Sequence, residues 1–140
     1  IERAGDLMTN IAKATRRIFP EKIPEVVSSL IQEMSNEAQR LLNLSSESYL
    51  HGDSGLAAAL DDIDDRLDDL NVETVEAIFE KHNDKNLPLN VAVQLALICR
   101  YYERIGDHAV NIGERVRYIV DGWTAERTGA ARLTDRQKNK

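Results

Sequence analysis

Apolar residues return every three or four positions along nearly the whole chain, the period of an amphipathic helix and not of a strand. Over 1–19 the recurring positions are Ala4, Met8, Ile11 and Ile18. Over 24–51 one stripe runs through Val27, Leu30, Ile31, Met34, Ala38, Leu41 and Leu42. Over 54–83 the buried side is marked by Leu56, Leu60, Ile63, Leu67, Leu70 and Ile78. Over 88–121, Ile98, Tyr101, Ile105, Ala109, Ile112, Val116 and Ile119 step by three or four throughout. Four helices follow, and the residues between them explain where each stops. Phe19 stands before Pro20, and a residue before proline is pushed out of the helical region. Pro24 is tolerated in a first turn. Gly52 suits a left-handed C-terminal position, with Asp53 or Ser54 placed to cap the next helix. His82-Asn83-Asp84-Lys85-Asn86 is a polar loop, and Gly122 stops the fourth helix. Short loops between long helices force antiparallel neighbours, so the expected fold is all-α, an elongated up-down bundle.

Composition agrees with this reading and narrows the function. The 140 residues hold only 7 Gly, 3 Pro and 5% aromatics, so turn and strand formers are scarce. A net charge of −6 disfavours nonspecific nucleic-acid binding, which depends on Lys and Arg. The single Cys99 excludes an internal disulfide framework and a CxxC zinc site, and its apolar neighbours mark it as a small core residue. No apolar run approaches the roughly 20 residues of a membrane-spanning helix. A soluble cytosolic chain is expected. It begins in mid-pattern without Met, which suggests a fragment. The tail 122–140 is basic and weakly periodic, and is expected to be mostly disordered.

Candidate chemistry comes from a repeat. IERAGDLMTNIAKATRRI at 1–18 matches YERIGDHAVNIGERVRYI at 102–119. Glu2/Glu103, Arg3/Arg104, Gly5/Gly106, Asp6/Asp107, Asn10/Asn111 and Ile11/Ile112 are identical pairs, extended by Arg16/Arg117 and Ile18/Ile119. Helix patterning explains matched apolar residues but not matched Glu, Gly, Asp and Asn. A glycine inside a helix costs up to about 1 kcal/mol against Ala, so two matched ones suggest a close approach.

On the fourth helix Glu103, Asp107, Asn111 and Glu114 fall within one quadrant, opposite the apolar stripe, and are expected to line a polar face. Glu2, Asp6 and Asn10 repeat this on the first helix, with Lys13 where Glu114 would fall. On the third helix DDIDDRLDD at 61–69 holds i,i+4 pairs of aspartates, including Asp64/Asp68. Like charges so spaced repel, and a hard divalent or trivalent cation would compensate them. The Glu-x-x-His motif of di-iron bundles is absent, since Ser48, Phe79 and Ile105 precede the histidines by three. A solvated acidic face on a metal-free helical interaction module is the competing reading. A metal-dependent hydrolase lacks a clear nucleophile or His dyad.

ERIGDHAVNIGE at 103–114 resembles the signature of the PhoU family of phosphate-signalling regulators. ERAGDLMTNIA at 2–12 resembles the signature of the family's first repeat, and DDRLDDL at 64–70 is similar to the acidic motif on the middle helix of each repeat. The resemblance covers about 1–121. It implies two pseudo-symmetric three-helix repeats, of which 1–19 would be the last helix of a truncated first repeat and 24–121 the complete second. It implies metal clusters of iron, zinc or magnesium on carboxylates, carried here onto Asp64, Asp68, Glu103, Asp107 and Asn111, and onto Glu2, Asp6 and Asn10. It further implies a non-enzymatic regulatory adaptor at the cytoplasmic side of the inner membrane. Such an adaptor links the phosphate ABC transporter to a sensor histidine kinase and restrains phosphate uptake. The missing helices would leave the cluster at Glu2 and Asp6 incomplete. They would also expose Met8 and Ile11, which a homodimer or a helix swap could cover.

Overall fold

The structure is a computed structural model, and it describes residues 2–122. Four helices run in order: α1 Glu2–Ile18, α2 Glu25–His51, α3 Ser54–Asn83 and α4 Leu89–Asp121. Pro24 and Pro88 stand at the N-cap positions of α2 and α4. Asp53 caps α3, its carboxylate accepting the Leu56 N–H at 2.9 Å. Gly52 and Gly122 close α2 and α4 at φ 60° and 64°, a conformation that costs glycine nothing. The expected basic tail, including Trp123, lies outside the described residues from 123 onward.

The helices α2, α3 and α4 pack on one another, and α1 lies against α4. The core joins Val27, Met34 and Leu41 of α2 to Leu60, Leu67 and Ile78 of α3 and to Leu95, Ile98 and Ile105 of α4. Burial of such side chains from water is the main force holding the bundle. From α1 the core receives Leu7, Ala14 and Ile18. Leu7 and Ala14 were absent from the sequence pattern, whereas Met8 is 50% exposed and Ile11 only half-buried. These two line an apolar trough of about 340 Å³ that also touches Ala38 and Leu42 of α2 and Tyr102 and Ile105 of α4. Ile119, assigned to the buried stripe by its spacing, is 65% exposed.

Candidate functional site at the seam between α3 and α4

The buried row of α3 is Ala57, Leu60, Asp64, Leu67, Leu70, Thr74 and Ile78, in steps of three or four. One aspartate therefore sits where the helical period calls for an apolar side chain. Asp64 is 8% exposed, and its Oδ1 has no hydrogen-bond partner. Of the α4 residues expected to line a polar face, Asp107 and Asn111 are exposed and Glu114 is half-buried. Asp64 belongs to the core row, and Glu103 is half-buried.

Glycines on α4 make this arrangement possible. A Cβ at Gly106 would collide with Asp64 Oδ1 and would come within 2.7 Å of Leu67 Cδ2. A Cβ at Gly113 would come within 2.6 Å of Leu60 Cδ1 and 3.0 Å of the Ala57 carbonyl oxygen. The antiparallel helices thus approach closely along two positions spaced by two turns. The carboxylate of Asp64 lies against the bare backbone at Gly106.

Asp68, Asp107 and Glu103 gather around it. Burial pushes the Asp64 carboxyl up to about 7, and the charges of Asp68, Asp107, Asp61 and Asp65 add to the effect. Asp68 is raised for the same reason, by burial first and then by Glu103 and Asp107. Glu103 has partners: Arg100 Nη1 donates to Oε2 at 2.7 Å and Asn71 Nδ2 at 3.4 Å. Asn71 and Arg100 were not singled out from the sequence. Asn71 stands one turn beyond Leu67 and Asp68 on the same helix, which is the only signal it carries. Arg66 points away from the cluster and pairs with Glu33 of α2 at 3.3 Å. Asp61, Asp64, Asp65, Asp68 and Asp107 have no ion pair among the described residues.

The other candidates lie elsewhere. Asn111 is exposed one turn beyond Asp107. Glu2 and Asp6 are exposed and Asn10 is half-buried on α1, which packs on α4. His82, outside the cluster, lies 2.9 Å from the Leu87 carbonyl oxygen through Nδ1. Cys99 is fully buried and its thiol is pushed up to about 12 by that burial, as a core residue requires.

The donors at the seam are all oxygen, mutually repulsive, and include one buried atom without a partner. That chemistry suits a hard cation. Among the described residues, no three His, Cys, Asp or Glu side chains yet converge on one point in metal-holding geometry. Asp68 and Asp107 are exposed, so their rotamers are free to close on an ion. Asp64 would supply a fixed oxygen from inside the seam.

Comparison with known proteins decides the family. The model of the PhoU domain matches residues 31–116, from the second turn of α2 to near the end of α4. The chain belongs to the PhoU family. It is 35% identical over 122 residues to phosphate-specific transport system accessory protein PhoU homolog 1 of Mycobacterium tuberculosis, covering 86% of this chain and 54% of that protein. It is 30% identical over 120 residues to PhoU homolog 1 of Methanothermobacter thermautotrophicus, covering 86% of this chain and 55% of the relative. With PhoU homolog 1 of Thermotoga maritima the identity is 30% over 122 residues, covering 87% and 53%. The chain thus spans about half the length of the curated relatives it matches. No solved structure matches it. Among the described residues, no helix is long and apolar enough to cross a membrane.

Proposed function

We propose that this chain forms part of a phosphate-transport accessory protein, a non-enzymatic regulator that restrains phosphate uptake. In this reading it sits at the cytoplasmic face of the membrane. There it links the phosphate ABC transporter to a sensor histidine kinase and keeps the kinase off when phosphate is plentiful. Support for the transport role comes from family membership over 31–116 and from the relatives, which are phosphate-specific transport system accessory proteins by name.

The seam between α3 and α4 is the proposed metal site, and the observation that carries it is the buried, unpartnered Asp64 oxygen facing Gly106. Asp64, Asp68, Glu103 and Asp107 would hold a divalent or trivalent ion such as iron, zinc or magnesium, with Asn111 at the rim. Glu2, Asp6 and Asn10 would need a second acidic helix to do the same. A bound cation would neutralise the carboxylates and fix the spacing of the two helices. Asp64 anchors, and Asn71 and Arg100 hold Glu103 in place from both sides.

Metal content by mass spectrometry before and after chelation tests the site. At least one ion per chain is expected, reduced in Asp68→Asn and in Asp107→Asn with helix content unchanged. Equal metal content in both variants and the parent would remove the site. The regulatory role is tested separately, by restoring phosphate-starvation reporter repression in cells that lack the full-length relative, using that protein with its matching seam residues intact or neutralised.

A further inference from the structure

Single exposed apolar side chains are ordinary on a protein surface, but a contiguous row of them marks a contact face. On the outer side of α3, Asp61, Asp65, Asp68, Val72, Val75 and Phe79 follow one another in steps of three or four, so they form one stripe. Its first half is acidic and its second half apolar. Val72 and Phe79 are 59% and 58% exposed. Val75, half-buried, roots this apolar half in the core.

Helix α4 widens the apolar half. Asp64 stands against Gly106 and Asn71 donates to Glu103, which fixes the antiparallel register of the two helices. The same register, carried toward the α3–α4 turn, brings Phe79 level with Val93, and Leu89 lies one turn further. Both of these α4 residues are exposed. An apolar patch therefore stands at one end of the seam surface and a row of aspartates at the other. Asp61, Asp65 and Asp68 have no ion pair among the described residues. Arg100, near the boundary between the halves, is engaged by Glu103 at 2.7 Å.

Charge decides what can cover this face. Helix α3 carries six aspartates and three glutamates against Arg66 and Lys81, so a nucleic acid or an anionic bilayer is repelled. A second copy is a poor match as well. In a two-fold pair the stripe meets itself. Acid then faces acid where the helices run parallel, and acid faces apolar where they run antiparallel. What complements the stripe is a helix that is apolar over one half of its face and basic over the other.

We propose that the α3–α4 seam surface docks an amphipathic helix of a partner protein, with apolar side chains over Val72, Phe79 and Val93 and with Arg or Lys over Asp61 and Asp65. From Asp61 to Phe79 the stripe runs ~27 Å at about 1.5 Å per residue, the length of a helix of about five turns. The apolar half supplies the surface removed from water, and the acidic half sets the direction of the bound helix and rejects acidic ones. This docking goes beyond the transport and metal readings, and it is expected in chelated protein.

A designed helical peptide of about five turns tests it, with leucines three and four apart in one half and arginines so spaced in the other. Titration into the isotope-labelled chain in chelator should shift amides of 61–79 and 89–97 and leave the outer face of α2 around Glu33 unchanged. Calorimetry should show binding at least tenfold weaker in Phe79→Ala, and equally so in Asp61→Asn combined with Asp65→Asn. These side chains are exposed, so the variants keep the fold. Binding should also weaken in about 0.5 M salt, where the Debye length is only ~4 Å. A peptide with glutamate in place of each arginine should not bind. Equal binding of the two peptides would overturn the proposal, as would shifts centred on another face. So would binding to phosphatidylglycerol vesicles that is lost in Phe79→Ala, which would assign the patch to a membrane. A rise in mass without peptide, lost in the same variant, would assign it to a second copy and equally overturn the proposal. Metal content enters none of these readings, so a bound peptide on an empty metal site and a loaded site with no peptide bound remain distinct results.

Discussion

The two copies of the ERxGD…N motif share its five defining residues but sit in different surroundings. In α4, Gly106 faces Asp64 and Leu67, and Gly113 faces Leu60 and the Ala57 backbone. In α1, a Cβ at Gly5 would meet nothing within 4 Å among the described residues, and the position matching Gly113 is Ala12, which is exposed. Glycine thus has a packing role in one copy and none in the other. The acids differ in the same way. Asp107 lies near a buried aspartate from a second helix, whereas Asp6 is exposed on α1. A motif of this kind gains a buried acidic neighbour only where a second helix comes within backbone contact of its glycines.

The largest expected effect comes from the buried acid. Asp64 releases its proton near pH 3.8 in the unfolded chain and near 7 in the folded one. Between these values the folded state binds more protons, so stability falls as pH rises from about 4 through about 7. Taken at about 1.4 kcal/mol per pKa unit, the loss is on the order of 4 kcal/mol. Chemical denaturation in chelator at pH 4.5 and pH 8 reads it. Asp64→Asn should flatten the slope and raise stability at pH 8, whereas Asp6→Asn should change neither. An unaltered slope in Asp64→Asn would show that this carboxylate is not the one titrating.

Next in size are the seam glycines. Gly113→Ala places a methyl against a backbone carbonyl and a fully buried leucine, neither of which can retreat, and should cost about 2 kcal/mol. Gly106→Ala meets the ends of two side chains instead and should cost about 1 kcal/mol. Both should also weaken any cation binding at the seam, because α3 and α4 are driven apart. The matching change in α1, Ala12→Gly, should cost no more than about 1 kcal/mol through helix propensity alone, with no effect on the seam. Equal costs at 12 and 113 would mean that the close approach does not contribute to stability.

These contrasts explain how much of the molecule was legible in its sequence. The helix ends were, because Pro20, Pro24, Gly52, Asp53 and Gly122 act through local backbone chemistry that needs no knowledge of neighbours. Most of the core was, because Val27 to Leu41 and Ile98 to Val116 follow one period. Asp64 was not placed in the buried row, because its charge argues for solvent while its register argues for burial. The row Leu60–Asp64–Leu67 holds that register, and matched helical glycines on α4 signal a close approach, but only the fold shows that the two face each other. Leu7 and Ala14 were missed for a related reason. The α1 pattern allows more than one apolar face, and packing on α4 selects between them.

The smallest effect separates the copies most directly. Gly5 lies in the interior of α1, where glycine is disfavoured by its backbone freedom, and open space surrounds the position of its absent Cβ. Gly5→Ala should therefore stabilise the chain, by up to about 1 kcal/mol. The gain should appear in the denaturation midpoint at any pH and leave metal content untouched. The same substitution at the matching position of α4 has the opposite sign, so the pair forms an internal control in one protein. If Gly5→Ala destabilised instead, something would have to pack against that face of α1 in solution. A rise in molecular mass by light scattering, lost in the variant, would then identify it as a second copy of the chain.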